Sequence, residues 1–228
     1  MKSLVLYVHG KGGNADEALH YKSLFPDADV RGFDYKVETP WDAKKEFPVY
    51  FDSVAAGYDE VILIANSIGA FFSMNALGDK PIKQAYFISP IVNMEKLICD
   101  MMAWAGVSEE ELREKKTVPT NFGETLSWEY LCYVRENPIE WRVPTKILYG
   151  SNDNLTSLET MREFAQKIGA FLTVMDGGEG RDRSPHACAC RKLCGPCACE
   201  LDFAGLDRYG FQNLRRPRCH PAARGSRR

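Results

Sequence analysis

The chain lacks three features that would assign it to large classes of protein. No apolar run in its 228 residues approaches the roughly 18–20 residues needed to span a bilayer. The start, Met1-Lys2-Ser3-Leu4, leads into a short apolar strand without a small-residue cleavage site, so no secretory signal is expected. A formal net charge of −2 provides no basic excess for nucleic acid. These absences predict a cytoplasmic protein that binds neither membranes nor nucleic acid.

A second set of absences divides the chain. Residues 181–228 contain no Ile, Val, Met, Thr or Trp, whereas residues 1–180 contain 23 Ile plus Val. The same 48 residues hold 10 of the 15 Arg and six of the eight Cys, and their net charge of +7 leaves −9 for residues 1–180. We therefore expect one domain over residues 1–180 and, at 181–228, an atypical Cys/Arg-rich segment that is disordered or out of frame.

The cysteines of this segment also allow a metal interpretation. Five thiols within 12 residues, flanked by two histidines, could bind Zn²⁺ or Cu⁺. However, only Cys194 and Cys197 have the C-x₂-C spacing, and no second such pair follows across a longer loop, as in a typical structural zinc site. The composition therefore favours an out-of-frame or vector-derived join over a metal site or an ordinary divergent tail, and we assign no metal. The residues concerned are Cys188, Cys190, Cys194, Cys197, Cys199, His186 and His220.

Residues 1–180 alternate between short apolar runs and amphipathic stretches. Runs at 4–8, 30–33, 61–65, 85–88, 146–149 and 171–175 predict buried strands, and helices are expected at 14–25, 41–56, 68–77 and 157–168. Pro48 should kink or interrupt the second helix. Between residues 91 and 142 the strand signal vanishes, which predicts a helical cap. The fold class is therefore α/β, with about six mostly parallel strands and helices on both faces.

Ser67 is the candidate nucleophile because it follows the most apolar strand. The sequence Ala65-Asn66-Ser67-Ile68-Gly69 matches the G-x-S-x-G turn, with alanine in place of the first glycine. Such a sharp turn requires small residues two positions to either side of the serine. The alternative is a serine that only caps the following helix.

Two other strand ends supply the remaining parts of an acyl-transfer site. The backbone N–H groups of Ile68 and of Lys11, in the His9-Gly10-Lys11-Gly12 loop, are candidate oxyanion donors. His9 itself is interpreted as a structural residue of that loop. Asp153, after the strand at 146–149, is placed as the triad acid, although an acid there could serve only an Asx turn.

The ordered set of strand-end loops resembles the α/β-hydrolases, in particular small bacterial serine hydrolases with a short helical cap. The resemblance covers about residues 1–179 and implies a triad of Ser67, a histidine and Asp153, with Lys11 and Ile68 at the oxyanion hole. It also implies that the histidine follows the last strand, where this chain has Gly180. The nearest histidine is His186, which we take as the candidate base.

The function predicted is hydrolysis of a small carboxylic ester or thioester through an acyl-enzyme on Ser67, impaired in this chain by Gly180. No cofactor is expected, and the oligomeric state is not encoded in any motif. One alternative is a catalytically inactive hydrolase fold used for binding. Another is a nucleotide-dependent oxidoreductase, because Gly10-x-Gly12-x-x-Ala15 with Asp34 also fits a dinucleotide fingerprint.

Overall fold

A computed structural model of the chain describes residues 1–176, and these form a parallel sheet covered by helices. Six strands lie in the order β2-β1-β3-β4-β7-β8, and every neighbouring pair is parallel. They are β1 (Ser3–Val8), β2 (Ala28–Phe33), β3 (Glu60–Asn66), β4 (Gln84–Ile88), β7 (Thr145–Gly150) and β8 (Phe171–Met175). The predicted fold class is confirmed, and each predicted strand is present.

Six α-helices and a 3₁₀ helix accompany the sheet over the described residues. The 3₁₀ helix spans Ala15–Leu24, and the α-helices are α1 (Pro40–Ala55), α2 (Ile68–Ala76), α3 (Met94–Ala105), α4 (Glu109–Lys115), α5 (Trp128–Glu136) and α6 (Leu158–Ile168). The first helix is thus 3₁₀ rather than α, although Asn14 caps it as expected by accepting from the Asp16 N–H.

Of the two outcomes predicted for Pro48, interruption of the second helix is wrong, because α1 continues through it, and the kink stays a prediction. Pro48 removes one backbone hydrogen bond. The helix persists because it packs an apolar stripe against the main core, formed by Ala43, Phe47, Phe51 and Val54. Tertiary burial of this stripe outweighs the lost hydrogen bond.

The segment between β4 and β7 is the predicted cap, but it is not wholly helical. Strands β5 (Thr117–Pro119) and β6 (Thr125–Ser127) form an antiparallel hairpin between α4 and α5. Three residues per strand are too few for a period-two pattern to emerge from the sequence. Arg135 of α5 joins the cap helices through ion pairs with Glu95 of α3 and Glu109 of α4.

The two faces of the sheet are covered unequally by the described helices. The larger core joins one face to α1, α2, α6 and the cap. The smaller core, on the other face, consists of Val5, Tyr7, Ala18, Ala28 and Ile64, and its described helix is the 3₁₀ helix. None of the helices among residues 1–176 combines the length and apolar character needed to cross a membrane.

Candidate active site

Ser67 lies in a strained turn between β3 and α2. Its backbone angles are φ 50° and ψ −117°, in a region that costs a non-glycine residue about 1–3 kcal/mol. Its side chain does not cap α2, which argues against the simple capping interpretation. The Ser67 N–H donates to Ile88 O (3.0 Å), and Ser67 O accepts from the Ile91 N–H (3.3 Å). The turn of residues 65–70, called the Ser67 turn, is therefore fastened to the end of β4.

Close backbone approach explains the small residues of the Ser67 turn. A Cβ atom added to Gly69 would lie 2.2 Å from His9 O, closer than any side chain can occupy. A Cβ added to Gly10 would lie 3.3 Å from the Ser67 Cβ. The turn therefore packs directly on residues 9–13, called the His9 loop, and Gly69 is required by that contact.

His9 holds its loop in place. The residue is buried, its Nδ1 bonds to Gly10 O (2.8 Å), and its ring stacks on Tyr35 with centroids 4.2 Å apart. The Tyr35 hydroxyl donates to His9 O (2.8 Å). These contacts fit the structural role predicted for His9. The close approach of Gly10 to Ser67 explains why a glycine stands there, so Gly10 does not require the dinucleotide interpretation.

The two candidate oxyanion donors are the backbone N–H groups of Ile68 and Lys11. Ile68 is the first residue of α2, where N–H groups have no partner within the helix. Lys11 follows Gly10 in the His9 loop. Over residues 1–176, neither N–H donates to a backbone carbonyl outside the regular elements. The Lys11 side chain is exposed and pairs with Glu124 of the cap, with Nζ 2.5 Å and 2.6 Å from its two carboxylate oxygens.

Asp153 is half-buried in residues 150–156, called the Asp153 loop, directly after β7. Its Oδ1 accepts from the N–H groups of Leu155 (2.8 Å) and Thr156 (3.2 Å), and its own N–H donates to Gly150 O (3.1 Å). The carboxylate therefore makes the Asx turn that the sequence allowed. This turn engages Oδ1, while Oδ2 has no hydrogen-bond partner among the described residues.

Tyr149 bonds the Asp153 loop to the end of β7. The Tyr149 hydroxyl donates to Thr156 O (2.7 Å), closing the loop onto the end of β7. Burial, followed by the nearby Asp153 carboxylate, raises the pKa of Tyr149 above its ordinary value. Strands β3 and β7 are separated only by β4, so their ends are about 10 Å apart.

A buried polar cluster, which the sequence did not reveal, lies beneath the Ser67 turn. The Tyr7 hydroxyl donates to Glu17 Oε2 (2.6 Å) and lies near the side chain of Asn66, the residue before Ser67. Glu17 also restricts the His9 loop, since a Cβ on Gly13 would lie 2.9 Å from Glu17 Oε1. Only the polar Asn66 inside an apolar strand could have signalled this cluster.

The aromatic and methionine residues of the cap mainly pack it against the sheet. Met94 and Met102 are buried, and Trp128, Tyr130 and Tyr133 are partly buried against the main core. Trp104 and Phe122 instead form an exposed pair with ring centroids 6.3 Å apart.

The comparisons with known proteins agree on the fold. The mouse α/β hydrolase domain-containing protein 10 aligns with a TM-score of 0.65 at 15% identity, over 84% of this chain and 86% of that one. Est1E from Butyrivibrio proteoclasticus aligns with a TM-score of 0.62 at 13% identity, over 78% and 79%. This chain has the α/β-hydrolase fold. The thioesterase domain from the curacin biosynthetic pathway shares the fold, with a TM-score of 0.52 at 16% identity over 84% and 90%. No family model and no curated protein sequence matches the chain.

The His9 loop, the Ser67 turn and the Asp153 loop follow the carboxyl ends of β1, β3 and β7, at one end of the parallel sheet. The candidate base is not among the described residues. The histidines within residues 1–176 are His9, which is buried in its loop, and His20, which is exposed in the 3₁₀ helix. The predicted base His186, Gly180 and the 181–228 segment lie outside the described residues, and so does the metal alternative.

Proposed function

We propose that the chain is a serine hydrolase that cleaves a small carboxylic ester or thioester through an acyl-enzyme on Ser67. The observation that carries the proposal is the strained backbone of Ser67 at the end of β3, with a side chain that makes no cap. Strained backbone at the carboxyl end of a strand is typical of catalytic positions, because it costs free energy and persists only where surrounding contacts maintain it. The hydrolase fold and the thioesterase neighbour support the same chemistry.

In the acylation step, Ser67 Oγ attacks the substrate carbonyl carbon and a base takes the hydroxyl proton. The carbonyl oxygen becomes an oxyanion, which the N–H groups of Lys11 and Ile68 stabilise together with the positive end of α2. The carbon–oxygen or carbon–sulfur bond then breaks, and the leaving alcohol or thiol receives the proton. Water attacks the acyl-enzyme in the same manner, which releases the acid and restores Ser67.

Asp153 is proposed to orient the base through Oδ2, while Oδ1 remains in the Asx turn. His186 is the proposed base, as the nearest histidine after β8 in the sequence. Because a serine hydroxyl is a weak nucleophile at neutral pH, turnover depends on this residue. The departure from the hydrolase pattern at Gly180 therefore predicts slow turnover by the chain as it stands.

The experiment is fluorophosphonate labelling combined with hydrolysis of p-nitrophenyl acetate. The expected label is on Ser67, and Ser67→Ala should lower kcat by about 10³–10⁶-fold, because triad residues act as a unit. The matched control is Ser53→Ala, which removes an exposed serine hydroxyl from α1. Labelling of another residue, or equal turnover by Ser67→Ala, would contradict the proposal.

Two further variants identify the base. If His186 is the base, His186→Ala abolishes the turnover of the native chain. If the histidine is missing, Gly180→His increases turnover from a negligible level. No turnover and no label in any of these proteins would favour the alternative, an inactive hydrolase fold used for binding.

A further inference from the structure

Ser89 lies at the end of β4, between the strand that carries Ser67 and the strand that leads to Asp153. It is buried, with 4% of its surface exposed, and its φ is +40°. The three non-glycine residues with positive φ among residues 1–176 are Ser67, Ser89 and Lys116. Two of the three strained positions therefore follow adjacent central strands, at the end of the sheet that holds the candidate site.

The contacts of Ser89 lead towards the Asp153 loop. The ladder between β4 and β7 ends at the pair Ile88–Leu148. Beyond it, the Ser89 N–H donates to Leu148 O (2.8 Å), and the Gly150 N–H donates to Ser89 Oγ (3.2 Å). The serine hydroxyl thus supplies the acceptor that no strand carbonyl provides for the buried Gly150 N–H.

The same short segment is also fastened to the nucleophile. Ile88 O accepts from the Ser67 N–H, and the Ile91 N–H donates to Ser67 O. On the other side, Gly150 O accepts from the Asp153 N–H. Residues 88–91 are therefore bonded to Ser67 on one side and, through Gly150, to Asp153 on the other.

The backbone strain at Ser89 indicates that its side chain makes a stabilising contact that a glycine could not make. Glycine adopts a positive φ without steric cost, whereas serine at +40° costs about 1–3 kcal/mol. The hydroxyl offsets part of this cost, because an unpaired buried N–H at Gly150 would itself cost about 1–3 kcal/mol. A glycine here would relieve the backbone but release the Asp153 loop.

We propose that Ser89 is a positioning residue that holds the Asp153 loop at a fixed distance from Ser67 through its hydrogen bond with the Gly150 N–H. This inference rests on the proposed hydrolase function. Ser89 touches neither substrate nor reacting atoms in this role. It acts on the orientation of Asp153 and hence on the base, where misplacement by about 1 Å can cost about 10²-fold in rate.

The test compares the native chain with Ser89→Ala and Ser89→Gly. Both variants remove the hydroxyl, but only Ser89→Gly also relieves the backbone. Thr145→Val is the matched control, since it removes a buried hydroxyl from the opposite end of β7. Amide hydrogen exchange at Gly150 and Asp153 is measured with the free energy of unfolding, and kcat and KM are measured for p-nitrophenyl acetate.

Both Ser89 variants should accelerate amide exchange at Gly150 and Asp153 by about tenfold, and Thr145→Val should not. Ser89→Gly should be more stable than Ser89→Ala, yet both should lower kcat by about 10–100-fold with KM within about twofold. Unchanged exchange, or a kcat that recovers in Ser89→Gly along with stability, would overturn the proposal. If the native chain shows no turnover, kcat and KM are compared in the Gly180→His background. No turnover in that background either would contradict the hydrolase function, while the exchange data would still decide whether Ser89 holds the Asp153 loop.

Discussion

The Ser67 turn and the Asp153 loop lie at the same end of the sheet, but different kinds of contact hold them. Ser67 is held by residues that are distant in sequence. The His9 carbonyl packs against Gly69, Gly10 packs against Ser67, and Ile88 O accepts a hydrogen bond from the Ser67 N–H. Asp153 is held mostly by its own loop, through an Asx turn to Leu155 and Thr156. The candidate nucleophile is thus fixed by tertiary packing and the candidate acid by local hydrogen bonds.

This difference implies that the position of Ser67 is fixed more tightly than that of Asp153. A strained backbone such as that of Ser67 persists only where the surroundings determine it fully. A loop closed by its own hydrogen bonds can shift as a unit unless something ties it to the rest of the molecule. On this reasoning, substitutions around the Ser67 turn should cost much more than substitutions in the Asp153 loop.

The largest effect is expected for Gly69→Ala. The added Cβ would lie 2.2 Å from His9 O, a backbone atom that cannot rotate away, so we expect a loss of about 3 kcal/mol or more in the free energy of unfolding. Gly12→Ala is the control in the neighbouring loop. Its φ is +72° but no atom lies within 4 Å of the added Cβ, so the loss should be about 1–2 kcal/mol. Urea unfolding measures both, and equal losses would contradict tertiary control of the turn.

The second effect concerns Tyr7, whose hydroxyl lies near Asn66 and donates to Glu17. Burial, then Tyr21 and the hydrogen bond to Glu17, raises the pKa of Tyr7 above its ordinary value of about 10. Below pH 10 the phenol is neutral in both states, so the full stability is present. Above pH 10 the unfolded chain loses the proton and the folded chain keeps it, so stability should fall as the pH rises.

Tyr7→Phe isolates this contribution. The decline of unfolding free energy between pH 10 and pH 11 should be shallower in Tyr7→Phe by up to about 1.4 kcal/mol per pH unit. Tyr50→Phe is the comparison. Burial raises the pKa of Tyr50 as well, but this residue is only half-buried and bonds to Gly32 O away from the site, so the slope should change less than in Tyr7→Phe. Identical slopes for the native chain and Tyr7→Phe would show that Tyr7 ionises equally in both states.

The third prediction concerns the Asp153 loop. Asp153→Ala removes both Asx-turn hydrogen bonds and should cost about 1 kcal/mol in unfolding free energy. Asp153→Asn keeps an oxygen acceptor and should cost less than about 0.5 kcal/mol, yet it removes the charge that supports the base. If Asp153 is the acid, Asp153→Asn should lower kcat by about 10²–10⁴-fold. If Asp153→Asn turns over substrate as fast as the native chain, Asp153 serves only to form the Asx turn.

The same contrast explains what could be predicted from the sequence. The strands, the sharp turn at Ser67 and the Asx turn at Asp153 were predictable because each depends on a local pattern: an apolar run, small residues around a serine, or an acid after a strand. The catalytic roles of Ser67 and Asp153 stay predictions. The β5–β6 hairpin is too short to show a period-two pattern. The continuity of α1 through Pro48 and the role of Ser89 depend on contacts between distant segments. Ser89-Pro90 offered only an extended or turn dipeptide, and nothing local indicated that its hydroxyl would meet Gly150.

The smallest effect is expected where the cap meets the His9 loop, in the ion pair of Lys11 with Glu124. Both side chains are substantially exposed, at 71% and 40%, so solvent screens the pair, and Glu124→Gln should change the unfolding free energy by about 0–1 kcal/mol. Lys45, which pairs with Asp42 on the remote surface of α1, provides the control Asp42→Asn. Because the Lys11 backbone is a proposed oxyanion donor, Glu124→Gln should instead alter kcat, by a few-fold and less at high salt, as the His9 loop loses its tether to the cap. If Glu124→Gln has the same kcat as the native chain at every salt concentration, the pair is only a surface contact. The packing of the His9 loop against Gly69 would then position Lys11 without the cap.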